Sequence, residues 1–145
     1  MIKVPVKTFK GVEKDKESGE VVATYSRAKM PERKHPNTDS GADAFVCWKD
    51  GDPEDKTVMI YPGQTVKGIP LGISCEIPDG YEIQLRPRSG IGGEGRIAVF
   101  GTIDNTYRGV IKCSLSNISD EPFIVHHGDR ICQLVLAPVV LGVFE

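Results

Sequence analysis

The chain is 145 residues long, which is enough for one domain with a buried core. Its 18 basic and 20 acidic residues give a formal net charge of −2, which argues against binding of duplex nucleic acid through a basic face. No apolar run reaches membrane-spanning length, the N-terminus lacks a signal-peptide core, and the four cysteines form no C-x-x-C pair. We therefore expect a single domain over residues 1–145, no nucleic-acid or membrane partner, buried free thiols and a cytoplasmic location.

Short runs rich in Val, Ile, Phe and Tyr follow one another along the chain, with Gly- and Pro-containing turn signals between them. Many short strands separated in this way predict an all-β sandwich or barrel. In the run at residues 81–86, apolar and polar residues alternate, which predicts one apolar and one polar face. The main runs are residues 44–48, 57–61, 71–77, 81–86, 96–100, 109–117 and 130–136.

Two segments are highly charged. Residues 10–20 carry charge at seven of eleven positions, which predicts a solvated loop or a hairpin tip between residues 4–6 and 21–25. Residues 49–56 carry charge at six of eight positions but lack the ligand spacing of an EF-hand loop, so a solvated turn is expected.

Four short motifs combine acidic, basic and polar residues with glycines. They read SGADAF at residues 40–45, RPRSG at 86–90, GTIDNTYRG at 101–109 and GDRICQL at 128–134. In order and spacing they resemble four of the five motifs of the homotrimeric deoxyuridine triphosphatase (dUTPase) family, over about two thirds of the chain. The resemblance implies a jelly-roll-like antiparallel β-barrel or sandwich, a homotrimer with shared sites, and Mg²⁺-assisted hydrolysis of dUTP to dUMP and pyrophosphate.

The third motif supplies the candidate catalytic residue, Asp104. A carboxylate in a rigid turn can accept a proton from water, and the resemblance makes Asp104 the base that directs water to the α-phosphorus. An Asx-turn residue is the alternative interpretation. The resemblance places Tyr107 beneath the deoxyribose, where its ring excludes a 2′-hydroxyl. An ordinary half-buried aromatic residue that packs the turn is the alternative.

Phosphate binding is expected from the second and fourth motifs. Arg88 supplies a fork of donors, Ser89 a hydroxyl, and Gly90 allows a backbone amide to approach an anion closely. The resemblance places these residues and the amide of Gln133 at the phosphates. It also makes Asp43 a contact of the magnesium complex through water, and an ion pair between Asp43 and a motif arginine is an equally weighted alternative.

Uracil recognition in the family uses mostly main-chain groups of a hairpin. The resemblance places this hairpin at Ala98 to Ile103, and Thr102 and Ile103 are therefore candidate substrate contacts. Many family members carry asparagine where this chain has Ala98, so a side-chain contact from that position is absent.

Two other functions compete with dUTP hydrolysis. The related dCTP deaminases use a glutamate in a segment similar to E-L-[ST]-N, whereas this chain has Ser114 at that position. A non-catalytic dUTPase-like trimer that binds nucleotide or regulates another protein is the second rival. It is suggested by the family's fifth motif, a Gly-rich C-terminal arm, which does not occur before Glu145; a truncated sequence and a true absence of the arm are the two alternatives. We expect a chain without this arm to bind dUTP and to turn it over slowly.

Overall fold

The structure, a computed structural model, describes residues 2–8, 11–88 and 97–145. Within these residues the chain forms thirteen strands and no helix, so no helix could cross a membrane. The strands are β1 Val6–Thr8, β2 Val12–Lys14, β3 Val21–Thr24, β4 Gly41–Phe45, β5 Thr57–Ile60, β6 Thr65–Pro70, β7 Ser74–Cys75, β8 Tyr81–Arg86, β9 Ile97–Phe100, β10 Thr102–Ile103, β11 Lys112–Asn117, β12 Phe123–His126 and β13 Arg130–Pro138.

All pairings between these strands are antiparallel, and they form two larger sheets and three two-stranded ribbons. One sheet has the order β10-β8-β13-β4 and the other has the order β6-β11-β9. The first contributes Leu85 and Leu134 to one shared hydrophobic core, and the second contributes Ile97 and Leu115. Two sheets packed over a common apolar core form a β-sandwich, which confirms the predicted all-β class.

The four cysteines behave as small buried apolar residues. Cys47, Cys75, Cys113 and Cys132 are all buried, and none is in a disulfide. Burial raises the pKa of the Cys47 and Cys75 thiols to about 11, which keeps both protonated at neutral pH. The expectation of buried free thiols is therefore confirmed.

The strands agree with the predicted runs in most places, and β8 coincides with the run at residues 81–86. The strand β6 was not predicted, because Gly68 and Pro70 interrupt its sequence pattern and its pairing with β11 decides its conformation. In the run at 71–77, only β7 pairs as a regular strand. Gly72 has a φ of +75° that turns the chain there, although its apolar neighbours remain in the core.

The second charged segment forms a surface turn, as predicted. The first also contains the strand β2, so its hairpin closes between β2 and β3 and not between residues 4–6 and 21–25. The strands β2 and β3 form a hairpin, and the carboxylate of Asp15 closes its tip by accepting a hydrogen bond from the Ser18 hydroxyl at 2.8 Å. In the second segment, Asp50 accepts from the Thr24 hydroxyl at 2.7 Å, and Lys56 contacts Asp52 at 3.0 Å. Among the described residues, no group of three acidic, His or Cys side chains could hold a metal ion.

Candidate active site

The side chains of the first, second and fourth motifs meet at one end of the four-stranded sheet. In β13, Gln133 lies opposite Asp43 of β4 on one side and opposite Arg86 of β8 on the other. Arg88 follows two residues after the end of β8. Asp43, Arg88 and Gln133 line a polar depression of about 430 Å³. The other lining residues are Lys34, His35, Asp39, Ser40 and Gly41.

Asp43 forms ion pairs with two motif arginines at the floor of this depression. Its Oδ1 accepts from Arg88 Nε at 3.2 Å, and its Oδ2 accepts from Arg130 Nη1 at 3.3 Å. Arg88 also donates from Nη1 to the Arg130 carbonyl at 3.0 Å. The Asp43 side chain is only 16% exposed, so these contacts fix the direction of the Arg88 guanidinium. The ion-pair alternative for Asp43 is thus present in the structure.

Gln133 is held by the chain on both sides. Its Nε2 donates to the Pro87 carbonyl at 2.9 Å, immediately before Arg88. On the other side its amide lies directly against Gly41, where a Cβ atom would overlap Oε1 and would lie 3.0 Å from Cδ. Gly41 therefore provides the space in which the Gln133 amide lies. The other two predicted phosphate ligands, Ser89 and Gly90, lie outside the described residues.

Asp104 begins a tight turn after β10. The Tyr107 amide donates to the Asp104 carbonyl at 3.0 Å, and the neighbouring Asn105 donates from Nδ2 to Asp79 at 2.9 Å. The Arg108 guanidinium donates to the Asn105 carbonyl and closes the turn further. The Asp104 carboxylate is exposed and has no hydrogen-bond partner in the described part of the chain. The carboxylate is therefore available to a ligand. The turn itself is held by hydrogen bonds of the main chain and of the neighbouring side chains.

Tyr107 folds back over the end of the same turn. Its hydroxyl donates to the Val110 carbonyl at 2.8 Å, and its ring lies over Gly109. The residue is 43% exposed, which leaves a large part of the ring open to a ligand. Both the hydrogen bond and the missing side chain of Gly109 fix the plane of this ring.

Asp104 does not line the polar depression that contains Asp43, Arg88 and Gln133 in the same chain. It lines a separate depression of about 400 Å³ with residues of β8 and of the C-terminal segment. The strand register gives the separation between Asp104 and Gln133. Ile103, the residue before Asp104, pairs with Ile83 of β8, and Ile83 pairs with Leu136 of β13. Two strand spacings across the sheet and about four residues along it put the Cα atoms of Asp104 and Gln133 roughly 16 Å apart.

The segment expected to form a hairpin over Ala98 to Ile103 has a different structure, which corrects the prediction. Ala98 pairs with Ser116 in the three-stranded sheet, whereas Thr102 pairs with Gln84 in the four-stranded sheet. The segment therefore crosses between the sheets at Gly101, which has a φ of +150° and would place a Cβ atom 2.6 Å from Leu85. This backbone conformation favours glycine, and a residue pattern cannot distinguish such a crossing from a hairpin. Thr102 is exposed and Ile103 is half-buried at the start of the Asp104 turn.

Comparison with known proteins identifies the family. The dUTPase family model matches residues 53–143. A deoxyuridine 5'-triphosphate nucleotidohydrolase from Syntrophotalea carbinolica is 41% identical over 125 residues, which cover 83% of this chain and 79% of that protein. The chain belongs to the dUTPase family.

Solved dUTPase structures share the fold. A variant of the dUTPase from phage phi11 of S. aureus, described with a structural Mg(II) ion, is 25% identical with a TM-score of 0.67. The alignment covers 81% of this chain and 88% of the phage chain. The Staphylococcus bacteriophage 80alpha dUTPase, solved as a mutant with dUpNHpp, is 23% identical with a TM-score of 0.72. The alignment covers 100% of this chain and 88% of the phage chain. At that identity the likeness shows the fold alone.

Three lining residues of the polar depression were not recognised as candidates from the sequence: Lys34, His35 and Asp39. They precede the first dUTPase motif in a turn with no regular periodicity. Only the isolated bridge between Glu32 and Asp43, which pairs this segment with β4, brings the turn to the edge of the depression. The many charged residues just before the first motif were a signal in the sequence. Their position beside the depression, however, depends on the pairing of Glu32 with Asp43.

Proposed function

We propose that this dUTPase-family chain hydrolyses dUTP to dUMP and pyrophosphate. The observation that carries the proposal is the convergence of Asp43, Arg88 and Gln133 in one polar depression, in a chain that also presents the free carboxylate of Asp104. The Syntrophotalea relative is named for dUTP hydrolysis, which supports the same substrate.

The chemical roles follow from the environment of each residue. Asp104 accepts a proton from the water that attacks the α-phosphorus, a contribution typically worth about 10²–10⁴ in rate. Arg88 and Gln133 donate to phosphate oxygens, together with Ser89 and Gly90 of the same motif. The ion pair with Asp43 and the bond to Pro87 hold these two donors in place before the nucleotide binds, so little reorganisation accompanies the reaction.

The nucleoside contacts come from the third motif. The exposed part of the Tyr107 ring packs beneath the deoxyribose and leaves no space for a 2′-hydroxyl. Ala98, Thr102 and Ile103 provide the main-chain surface for uracil. Because they lie on a crossing between two sheets and not in a hairpin, the uracil contacts in this proposal belong to the rim where β9 and β10 meet.

The proposed active unit is a homotrimer with shared sites. Asp104 and Gln133 lie in different depressions of one chain, roughly 16 Å apart by strand spacing. A base that binds the water attacking the α-phosphorus must lie close to that phosphate, which a separation of this size within one chain does not allow. A neighbouring copy therefore supplies Asp104 and Tyr107 to the phosphate-binding groups of this one.

A magnesium ion fits this site as part of the bound nucleotide. Both oxygens of the Asp43 carboxylate accept from arginines, and no carboxylate cluster exists among the described residues, so direct coordination by several protein groups does not fit. Contact from Asp43 through water does fit, because Mg²⁺ on phosphates usually keeps several waters. When bound, the ion neutralises charge on the triphosphate.

The four free thiols support a reducing compartment such as the cytosol.

Product analysis distinguishes this proposal from its rivals. The chain is incubated with Mg²⁺ and dUTP, dCTP, dTTP or UTP, and the products are separated by chromatography. We expect dUMP and pyrophosphate from dUTP, with much slower turnover of the other nucleotides. Ammonia release from dCTP would indicate a deaminase, although Ser114 occupies the position of the deaminase glutamate. Binding of dUTP without any product would indicate a non-catalytic trimer.

A further inference from the structure

Lys34 lies at the mouth of the depression that Arg88 and Gln133 line, although it belongs to none of the four motifs. The residue is exposed and comes directly before a turn that leads into β4. The Glu32 amide donates to the Asp43 carbonyl at 2.9 Å and the Asp43 amide donates to the Glu32 carbonyl at 2.7 Å. This pairing fixes the main chain two residues before Lys34, so the position of Lys34 is set by the same strand that carries Asp43.

The turn after Lys34 is closed by the carboxylate of Asp39. Asp39 Oδ2 accepts from the His35 amide at 2.7 Å, and Oδ1 lies 3.3 Å from His35 Nδ1. The Asp39 amide in turn donates to the His35 carbonyl at 3.0 Å. These bonds direct the negative charge of Asp39 toward the turn itself and toward the His35 ring. They leave Lys34 at the entrance of an ordered turn without a carboxylate partner from that turn.

Two other cations at the depression, Arg88 and Arg130, are already paired. Arg88 and Arg130 both bind Asp43, and Arg130 also contacts Glu32 at 3.3 Å. Lys34 has no ion pair or hydrogen bond within the part of the chain that the structure describes. The charge of Lys34 therefore remains available to an anion. The same depression, of about 430 Å³, is also lined by the hydrogen-bond donors Arg88 and Gln133.

We propose that Lys34 binds the triphosphate chain of the nucleotide and determines affinity for it, an inference that rests on the proposed dUTP hydrolysis. The ammonium group has three donors on a flexible stem, which suits contact with a mobile polyanion at the mouth of a depression. A single exposed charge contact of this kind typically changes affinity by about two- to fivefold. Because the contact is the same in the bound substrate and in the transition state, it acts on KM and leaves kcat nearly unchanged.

The test compares Lys34→Gln and Lys34→Arg with the unmodified chain. For each protein, KM and kcat are measured with dUTP, and the inhibition constants are measured with pyrophosphate, which has only phosphates, and with deoxyuridine, which has none. We expect Lys34→Gln to raise KM for dUTP and the inhibition constant of pyrophosphate by about two- to fivefold, with kcat and the inhibition constant of deoxyuridine unchanged. Lys34→Arg restores most of the loss.

Lys67→Gln serves as the matched control, because Lys67 is an exposed lysine on β6 in the other sheet. Unchanged KM and pyrophosphate inhibition in Lys34→Gln would overturn the inference, and so would an equal loss of deoxyuridine binding. Direct calorimetry of pyrophosphate binding to the same variants gives a readout that does not need turnover. If the unmodified chain fails to hydrolyse dUTP, the proposed function is wrong, and calorimetry still decides whether Lys34 binds a polyphosphate.

Discussion

The ring of Tyr107 lies directly over the α-carbon of Gly109. A Cβ atom on Gly109 would be 2.6 Å from the Tyr107 hydroxyl oxygen and 2.8 Å from Cζ. The hydroxyl donates to the Val110 carbonyl at 2.8 Å, so the absence of a side chain at Gly109 permits this hydrogen bond. The turn thus fixes the plane of an aromatic ring that we assign to the sugar.

The first prediction concerns Gly109→Ala. The added methyl group would overlap atoms of the Tyr107 ring and therefore forces the ring away from its position. The backbone of Gly109 is not left-handed, so the substitution adds no backbone strain of that kind. We expect the ratio of kcat/KM for dUTP over UTP to fall by about tenfold, measured by competition between the two nucleotides. Gly142→Ala is the control, since nothing lies within 4 Å of that position. An unchanged ratio would show that Tyr107 does not select the sugar.

A second prediction concerns Gly41→Ala, which acts on a phosphate donor. The added methyl group overlaps the Gln133 amide and displaces it from the Pro87 carbonyl. We expect KM for dUTP to rise by about five- to fiftyfold, because one donor to the phosphates is misplaced.

A double-mutant cycle tests this explanation. In Gln133→Ala the large side chain is gone, so adding Gly41→Ala removes nothing further. The double variant is expected to match Gln133→Ala in KM. If the two effects instead multiply, Gly41 acts on the site by another route.

The third prediction assigns the chemistry to Asp104. Asp104→Asn retains the shape of the turn and loses the base, so kcat falls by roughly 10²–10⁴ while the affinity for a non-hydrolysable dUTP analogue changes little. If this variant keeps the turnover of the unmodified chain, Asp104 is not the base and only stabilises the turn.

Mixed trimers test the sharing of the site between copies. With dUTP well below KM, Asp104→Asn and Gln133→Ala trimers are each expected to turn over substrate far more slowly than the unmodified chain, since every site in either trimer lacks one group. After equal mixing and subunit exchange, about one quarter of the sites receive both intact groups, if adjacent copies contribute them independently. Recovery of turnover toward one quarter of the wild-type value supports shared sites. No recovery, with exchange verified by mass spectrometry, would place both groups in one chain.

The fourth prediction concerns acid stability and the β2–β3 hairpin. Lys112 Nζ contacts Glu13 at 2.6 Å, and this bond lowers the pKa of the Glu13 carboxyl below its ordinary value of 4.5; a hydrogen bond from the buried Tyr25 acts in the same direction. A lowered folded-state pKa contributes stability above pH 4.5, and this contribution disappears as the pH falls through the lowered value.

Urea unfolding of Glu13→Gln at fixed protein concentration measures this effect. We expect the variant to be less stable than the unmodified chain at pH 7, by about 1 kcal/mol or less for a partly exposed pair. The difference should shrink as the pH is lowered below 4.5. Glu17→Gln, at the exposed tip of the same hairpin, is the control variant. A pH-independent difference would contradict the ion-pair explanation.

The residue sequence by itself determined the fold class and the family. Alternation in β8 and the glycine- and proline-rich turns are local properties, so they predict strands without knowledge of their partners. The family was also readable from the sequence, because the order of Asp43, Arg88, Asp104 and Gln133 does not depend on coordinates.

Only the tertiary structure decided which of these residues meet. Strand register brings Gln133 beside Asp43 and leaves Asp104 in another depression, and register depends on pairings between segments far apart in the chain. The same long-range pairing converted the expected hairpin at Ala98 into a crossing between sheets and placed Lys34 at the depression that Arg88 and Gln133 line. Local patterns specify strands, whereas the packing of two sheets over one core specifies a site.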